Sequence, residues 1–208
     1  MFEIYNRQVQ LVLACLPVIA EFEDFALKGG TAINMFIRTQ YPRLSVDIDL
    51  TYLPVAGRDE SLKAIEQGLI EIGEVLKTKL NYKILQSKNP QTKTITKIVV
   101  DNGSSKIIIE PNLTLRGTVY PIVHQDSSKR VEELYGLRVR NMPLLDRAEL
   151  YAGKICAALD RQHPRDLFDI KFILEEGISE RTKIAFLIYL LSNNRPLFEM
   201  LAPNRLDQ

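Results

Sequence analysis

The sequence predicts an α+β fold: a mixed β-sheet with flanking helices, followed by a helical C-terminal part. Three observations predict it. Short β-branched runs alternate with longer amphipathic stretches up to about residue 142. Asn102-Gly103 joins two alternating runs, which is a strong hairpin signal. From Asp146 onward the apolar spacing is helical. A soft boundary is therefore expected at "NMP", dividing an α/β core of residues 1–142 from a helical part of residues 143–208.

Each element has its own reason. Residues 4–22 carry Ile4, Val9, Leu11, Val12, Leu16 and Ile19 at helical spacing. "FAL" at 25–27 reads as a short buried strand running into Gly29-Gly30, and Thr31 to Thr39 as a helix ended by Pro42. "VDIDLTYL" at 46–53 alternates strictly and is a strand. Residues 59–80 form a helix on Leu62, Ile65, Leu69, Ile72 and Leu76. Strands are expected near 82–86, 94–100 and 105–110, and shorter ones at 118–123 and 137–140. Helices are expected at 146–161, 165–176 and 180–192, with a further segment near 196–201.

Composition narrows the function. With 208 residues, 46% hydrophobic and 25% charged, the chain can bury a core as one large domain or two closely joined small ones. A net charge of +1 gives no global field for nucleic acid, so any polyanion site must be local. Cys15 and Cys156 each lie in an apolar helix-like run, which implies buried thiols and a reducing cytoplasm rather than a disulfide framework. The apolar run Leu11 to Ala20 is too short to span a bilayer, and "MFEIYNRQ" has no basic leader, so neither membrane nor signal peptide is expected.

The chemistry concentrates in "LKGGTAINMFIRTQYPRLSVDIDL", residues 27–50. Residues two apart on a strand share a face, with Cα atoms roughly 6.5–7 Å apart. Asp47 and Asp49 therefore project side by side while Val46, Ile48 and Leu50 face the core. Such a pair repels unless a cation lies between; Mg²⁺ or Mn²⁺ takes one or two carboxylates plus substrate phosphates. A solvated strand face is the plain alternative, although Asp is disfavoured in strands. Gly29-Gly30-Thr31 lets backbone approach a ligand, and N–H groups at a helix start favour phosphate. Its plain alternative is a strand-to-helix turn capped by Thr31. No Gly-Lys-Ser/Thr follows, so this is not a Walker loop, and the glycines are too few for a dinucleotide fingerprint.

The order strand, Gly-Gly-Thr, helix, strand with Asp-x-Asp resembles the nucleotidyltransferase superfamily. "LKGGTAINMF" with "PRLSVDIDL" is similar to the AbiEii/AbiGii toxin family within it, as are "IIIEPNLTLRG", "LYAGKICAALDRQHPRDLFDI" and "LIYLLSNNRPLFEML". The resemblance covers nearly the whole chain, although members are commonly longer. It implies a nucleotidyltransferase-like sheet and transfer of an NMP from a nucleoside triphosphate to an acceptor. It also implies an RNA such as tRNA as that acceptor, and a cognate antitoxin.

By resemblance, Asp47, Asp49 and Glu110 would hold metal, Glu110 also reading as a plain charged strand end. Arg43 and Ser45 match the family's Arg-x-Ser-x-Asp pattern; Ser45 shares a strand face with Asp47, and Arg43 is either a phosphate ligand or a surface ion pair. Lys154 and Asp166 are the family positions in the helical part. Lys154, in apolar "AGKICAAL", would either snorkel or meet a nucleotide phosphate. Asp166 would be a catalytic carboxylate or a residue favoured by the helix dipole, and Asp169 shares its face. A single active site would need the helical part to close on the strand bearing the aspartates. Arg116 stays open between phosphate and an acid, the cluster Arg161, His163 and Arg165 between RNA and solvent, and His124 reads as structural. Two alternative functions stay open: a non-catalytic nucleotide- or partner-binding protein that keeps the fold, and a Mg²⁺-dependent nuclease that uses the same carboxylates.

Overall fold

The computed structural model describes residues 2–38, 45–193 and 195–202, and its contacts divide the chain into two compact units. One comprises residues 1–117 and 122–145; the other comprises 118–121 and 146–208.

In the first unit, among the described residues, seven strands form one sheet in the order β3-β4-β5-β2-β1-β7-β6. They are β1 (Phe25–Lys28), β2 (Asp47–Tyr52), β3 (Lys83–Lys88), β4 (Ile95–Asp101), β5 (Lys106–Pro111), β6 (Val123–Gln125) and β7 (Met142–Leu144). β2 runs antiparallel to β1 and parallel to β5. The expected hairpin joins β4 to β5: Gly103 has φ +86°, and the Asn102 side chain accepts from Ser105 N at 2.8 Å.

Helices α1 (Phe2–Ile19) and α3 (Arg58–Leu80) join the sheet through its apolar face. Leu27, Ile48, Leu50, Ile98 and Ile109 are fully buried there, each contributing roughly 1.5–3 kcal/mol on removal from water. α3 approaches closely because Gly68 has no side chain: a Cβ would lie 2.5 Å from the Phe25 ring. With period two, the opposite face of β2 is left to Asp47 and Asp49.

Three expectations are corrected. Residues 118–121 are no strand, because Val119 and Tyr120 donate their backbone N–H groups to the Glu149 carboxylate at 3.0 and 3.3 Å. Residues 137–140 are no strand either; Val139 closes a loop with Ser127, donating to its hydroxyl at 3.0 Å. An unexpected helix, α4 (Lys129–Tyr135), is capped by Ser128 and ended by Gly136 at φ +67°. β7 carries Pro143, a residue that argues against a strand, yet it pairs with both β1 and β6.

The second unit is helical: α5 (Arg147–Arg161), α6 (Pro164–Glu176), α7 (Glu180–Leu191) and α8 (Leu197–Leu201). Asp146, His163 and Ser179 cap the first three, each side chain accepting a backbone N–H. Glu149 is buried on α5 and accepts from the Tyr189 hydroxyl at 2.9 Å as well as from residues 119 and 120, which ties α5, α7 and the 118–121 segment together. α7 buries Ala185, Tyr189 and Leu190 while exposing Ile184, Leu187, Ile188 and Leu191. Both cysteines are buried thiols outside any disulfide, and burial pushes the Cys15 thiol up to about 12. No described helix is long and apolar enough to cross a membrane.

Candidate functional site

The glycine corner follows β1 directly. Helix α2 (Gly29–Ala32) begins at Gly29, two residues earlier than Thr31, and widens into a π-helical turn over Ile33–Ile37. Thr31 is therefore not its cap; the capping position is Lys28, in extended conformation. Gly29 has φ +71°, and a Cβ on it would lie 2.1 Å from Asp49 Oδ2. The Asp49 carboxylate thus rests in the space that glycine leaves, which joins the two halves of the motif in one place.

Thr31 makes the second connection. Its hydroxyl is fully buried, donates to the Asp47 carbonyl at 2.5 Å and is hydrogen-bonded to the Ser45 hydroxyl at 3.0 Å. The reading of Thr31 as a phosphate donor is corrected: its hydroxyl is committed to the β2 backbone. Ser45 is likewise buried and shares that bond, instead of presenting its hydroxyl openly beside Asp47. Behind the corner, Asn34 donates to the Gly30 carbonyl at 2.8 Å and accepts from Arg38 at 2.7 Å. Sequence reasoning missed this brace, although an amide inside the apolar run "AINMFI" was its signal. Arg43 lies outside the described residues.

Asp47 and Asp49 are half-buried, and their β2 neighbours Ile48 and Leu50 are in the core, as the alternation requires. Glu110 pairs in register with Asp49 across the β2–β5 ladder. Its carboxylate, however, is 3.8 Å from Lys97 Nζ, and half of its side chain is exposed. Among the described residues no three His, Cys, Asp or Glu side chains gather closely enough to hold a metal ion. In this arrangement Glu110, expected as a third carboxylate, is ion-paired with Lys97. Two half-buried carboxylates beside a glycine corner still fit a hard divalent ion, which takes its remaining oxygens from substrate and water.

The helical unit holds a different constellation. Lys154 Nζ lies 3.0 Å from Asp166 Oδ1 and 3.2 Å from Asp169 Oδ2, and all three side chains are at most 5% exposed. Arg161 adds a two-pronged contact to Asp166, Nε to Oδ2 at 2.7 Å and Nη2 to Oδ1 at 3.2 Å. Lys154 meets two aspartates here, and its ammonium does not snorkel. Asp166 is likewise turned inward and paired. Of the basic cluster, Arg161 belongs to this network and His163 caps α6, accepting from Arg165 N at 3.1 Å. His124 is exposed on β6, and Arg116 donates to the Leu113 carbonyl at 3.3 Å.

Burial alone would raise the Asp166 carboxyl, but the Arg161 and Lys154 contacts outweigh it and hold it down at about 2, against an ordinary 3.8. A depressed carboxyl stabilises the folded state above its unfolded value and loses that contribution as pH falls through the folded one. The expected outcome is a stabilisation of about 2 kcal/mol, complete above about pH 4 and lost towards about pH 2. Denaturant midpoints measured along an acid series check this. Asp166→Asn should flatten the acid limb, and an unchanged limb would reject the assignment.

Comparison with known proteins follows this geometry. The family model described as the nucleotidyl transferase AbiEii toxin of the type IV toxin–antitoxin system matches residues 11–207. No curated protein matches the sequence at a significant level. Among solved structures the chain is similar to MenT4, the nucleotidyltransferase toxin Rv2826c of Mycobacterium tuberculosis H37Rv, with a TM-score of 0.66 at 14% identity over 89% of this chain and 64% of that one. It is similar to JHP933 of Helicobacter pylori, with a TM-score of 0.52 at 16% identity over 90% and 74% of the two chains. It also resembles a putative nucleotidyltransferase of H. pylori, with a TM-score of 0.50 at 15% identity over 94% and 89%. At these identities the likeness is one of fold, and the chain spans less than two-thirds of the MenT4 chain. The family match extends over nearly the whole sequence and includes both the glycine corner and the aspartate pair: this chain belongs to the AbiEii nucleotidyl transferase toxin family of type IV toxin–antitoxin systems.

Proposed function

We propose that the chain transfers an NMP from a nucleoside triphosphate to an acceptor, an RNA such as tRNA, as the cytoplasmic toxin of a pair with a cognate antitoxin. The observation that carries this reading is the seating of Asp49 against Gly29, which puts a carboxylate pair and a glycine corner together. In this reading the Gly29-Gly30 backbone meets phosphate oxygens, and Asp47 and Asp49 supply the anionic ligands. A divalent ion such as Mg²⁺ or Mn²⁺ held by Asp47 and Asp49 would neutralise the triphosphate and lower the pKa of the attacking hydroxyl. The acceptor oxygen bonds to the α-phosphorus as the bond to pyrophosphate breaks, and the protein contributes positioning and charge stabilisation. Arg43 belongs to this reading as a phosphate ligand. Lys154 and Asp166 belong to it as the pair that holds α5 to α6; a phosphate contact by Lys154 would require it to leave two buried carboxylates.

The test is incorporation of labelled nucleotide into RNA, with pyrophosphate release, in the presence and absence of Mg²⁺. Asp47→Asn and Asp49→Asn should each lower incorporation by about a hundredfold or more, because each removes charge from the metal site. Their melting temperatures should stay near that of the native chain, since neither carboxylate is in the core. Shortened RNA without added triphosphate would replace this reading with a nuclease. Nucleotide binding without incorporation would replace it with a non-catalytic binding protein.

A further inference from the structure

The sheet face that bears Asp47 and Asp49 carries one more charged residue beside them. Lys28, the last residue of β1, pairs in antiparallel register with Asp49, while Glu110 of β5 pairs with Asp49 from the other side. Directly paired residues share a face, with Cβ atoms about 4.5–5.5 Å apart. Lys97 of β4 continues the row through its 3.8 Å ion pair with Glu110. Across β4, β5, β2 and β1 the face therefore reads Lys97, Glu110, Asp49, Lys28: two acids bracketed by two lysines.

The two lysines are not equivalent. Lys97 lies beyond Glu110, two strands from Asp49, and is engaged with that glutamate. Lys28 is on the strand next to Asp49 and immediately precedes Gly29, whose vacant Cβ position the Asp49 carboxylate fills. It also occupies the capping position of α2, so the chain turns from strand into corner at its own Cα. It is half-buried. A four-carbon stem is long enough for an ammonium to reach past a short aspartate on the same face.

We infer that Lys28 is a nucleotide-binding residue of this site, its ammonium taking a phosphate oxygen of the triphosphate beside the Gly29-Gly30 backbone. The inference rests on the nucleotidyltransferase reading above. A compact ammonium suits this place better than a guanidinium, because it makes a point-charge contact in a crowded corner and does not need a planar fork. In the absence of nucleotide the same charge offsets the repulsion between Asp47 and Asp49.

The experiment compares the native chain with Lys28→Met and Lys28→Arg. Calorimetry with Mg²⁺ measures binding of a non-hydrolysable nucleoside triphosphate and of the corresponding nucleoside monophosphate, and a thermal melt accompanies each variant. Lys28→Met should weaken the triphosphate by about tenfold or more, with a much smaller effect on the monophosphate, and Lys28→Arg should recover part of the loss. A purely structural lysine would lower the melting temperature and weaken both nucleotides equally, which overturns the inference. Native-level triphosphate binding by Lys28→Met overturns it too, while leaving the transferase reading intact. If the native chain itself binds no triphosphate with Mg²⁺, the transferase reading falls and Lys28 falls with it.

Discussion

Lys154→Ala is expected to destabilise the helical unit by about 3–5 kcal/mol, because it strands two buried carboxylates. Lys154 contacts Asp166 at 3.0 Å and Asp169 at 3.2 Å, and neither aspartate has appreciable exposure through which water could replace it. Arg161 still neutralises Asp166 from the rim, where its own side chain is 62% exposed. Denaturant unfolding gives the measurement, and the combination Lys154→Met with Asp169→Leu should recover much of the stability by removing the uncompensated charge along with its partner. A native denaturation midpoint in Lys154→Ala, accompanied by lost triphosphate binding, would return Lys154 to the role of a phosphate ligand.

Gly29→Ala should lower nucleotide incorporation by about a hundredfold while leaving the rest of the sheet folded. Two penalties act at one atom. The backbone there has φ +71°, which a residue with a Cβ adopts at a cost of about 1 kcal/mol. The added carbon would also lie 2.1 Å from Asp49 Oδ2, so the carboxylate must swing out of its seat. The comparison variant is Gly68→Ala, where a Cβ would lie 2.5 Å from the Phe25 ring. That change should lower the melting temperature with little effect on incorporation per folded molecule. Equal activity in Gly29→Ala and the native chain would separate the glycine corner from the chemistry.

Much of the architecture was legible in the chain. "VDIDLTYL" became β2 (Asp47–Tyr52), and the run 59–80 became α3 (Arg58–Leu80), because strong periodicity and burial point the same way in both. The Asn102-Gly103 hairpin held for the same reason. The short elements were misread. β7 contains Pro143 and is buried on all three residues, so tertiary pairing outweighed local propensity. A strand is expected at 118–123, yet the Val119 and Tyr120 N–H groups go to a glutamate some thirty positions later in the chain, and the strand begins only at Val123.

The site divides along the same line. The sequence alone determined that Asp47 and Asp49 share a face next to a flexible corner, because a two-residue period and two glycines are local facts. It left Lys154 between snorkelling and an anion, and Asp166 between a catalytic carboxylate and one favoured by the helix dipole. Only the tertiary structure decided the partners. Lys154 found Asp166 and Asp169, the Thr31 hydroxyl found the Asp47 carbonyl, and Glu110 found Lys97. Lys28 came to lie opposite Asp49 through strand pairing. Charge and hydrogen-bonding capacity are properties of a residue, and so are legible in one dimension. Their satisfaction depends on distances of about 3 Å between atoms far apart in the chain, which only packing sets.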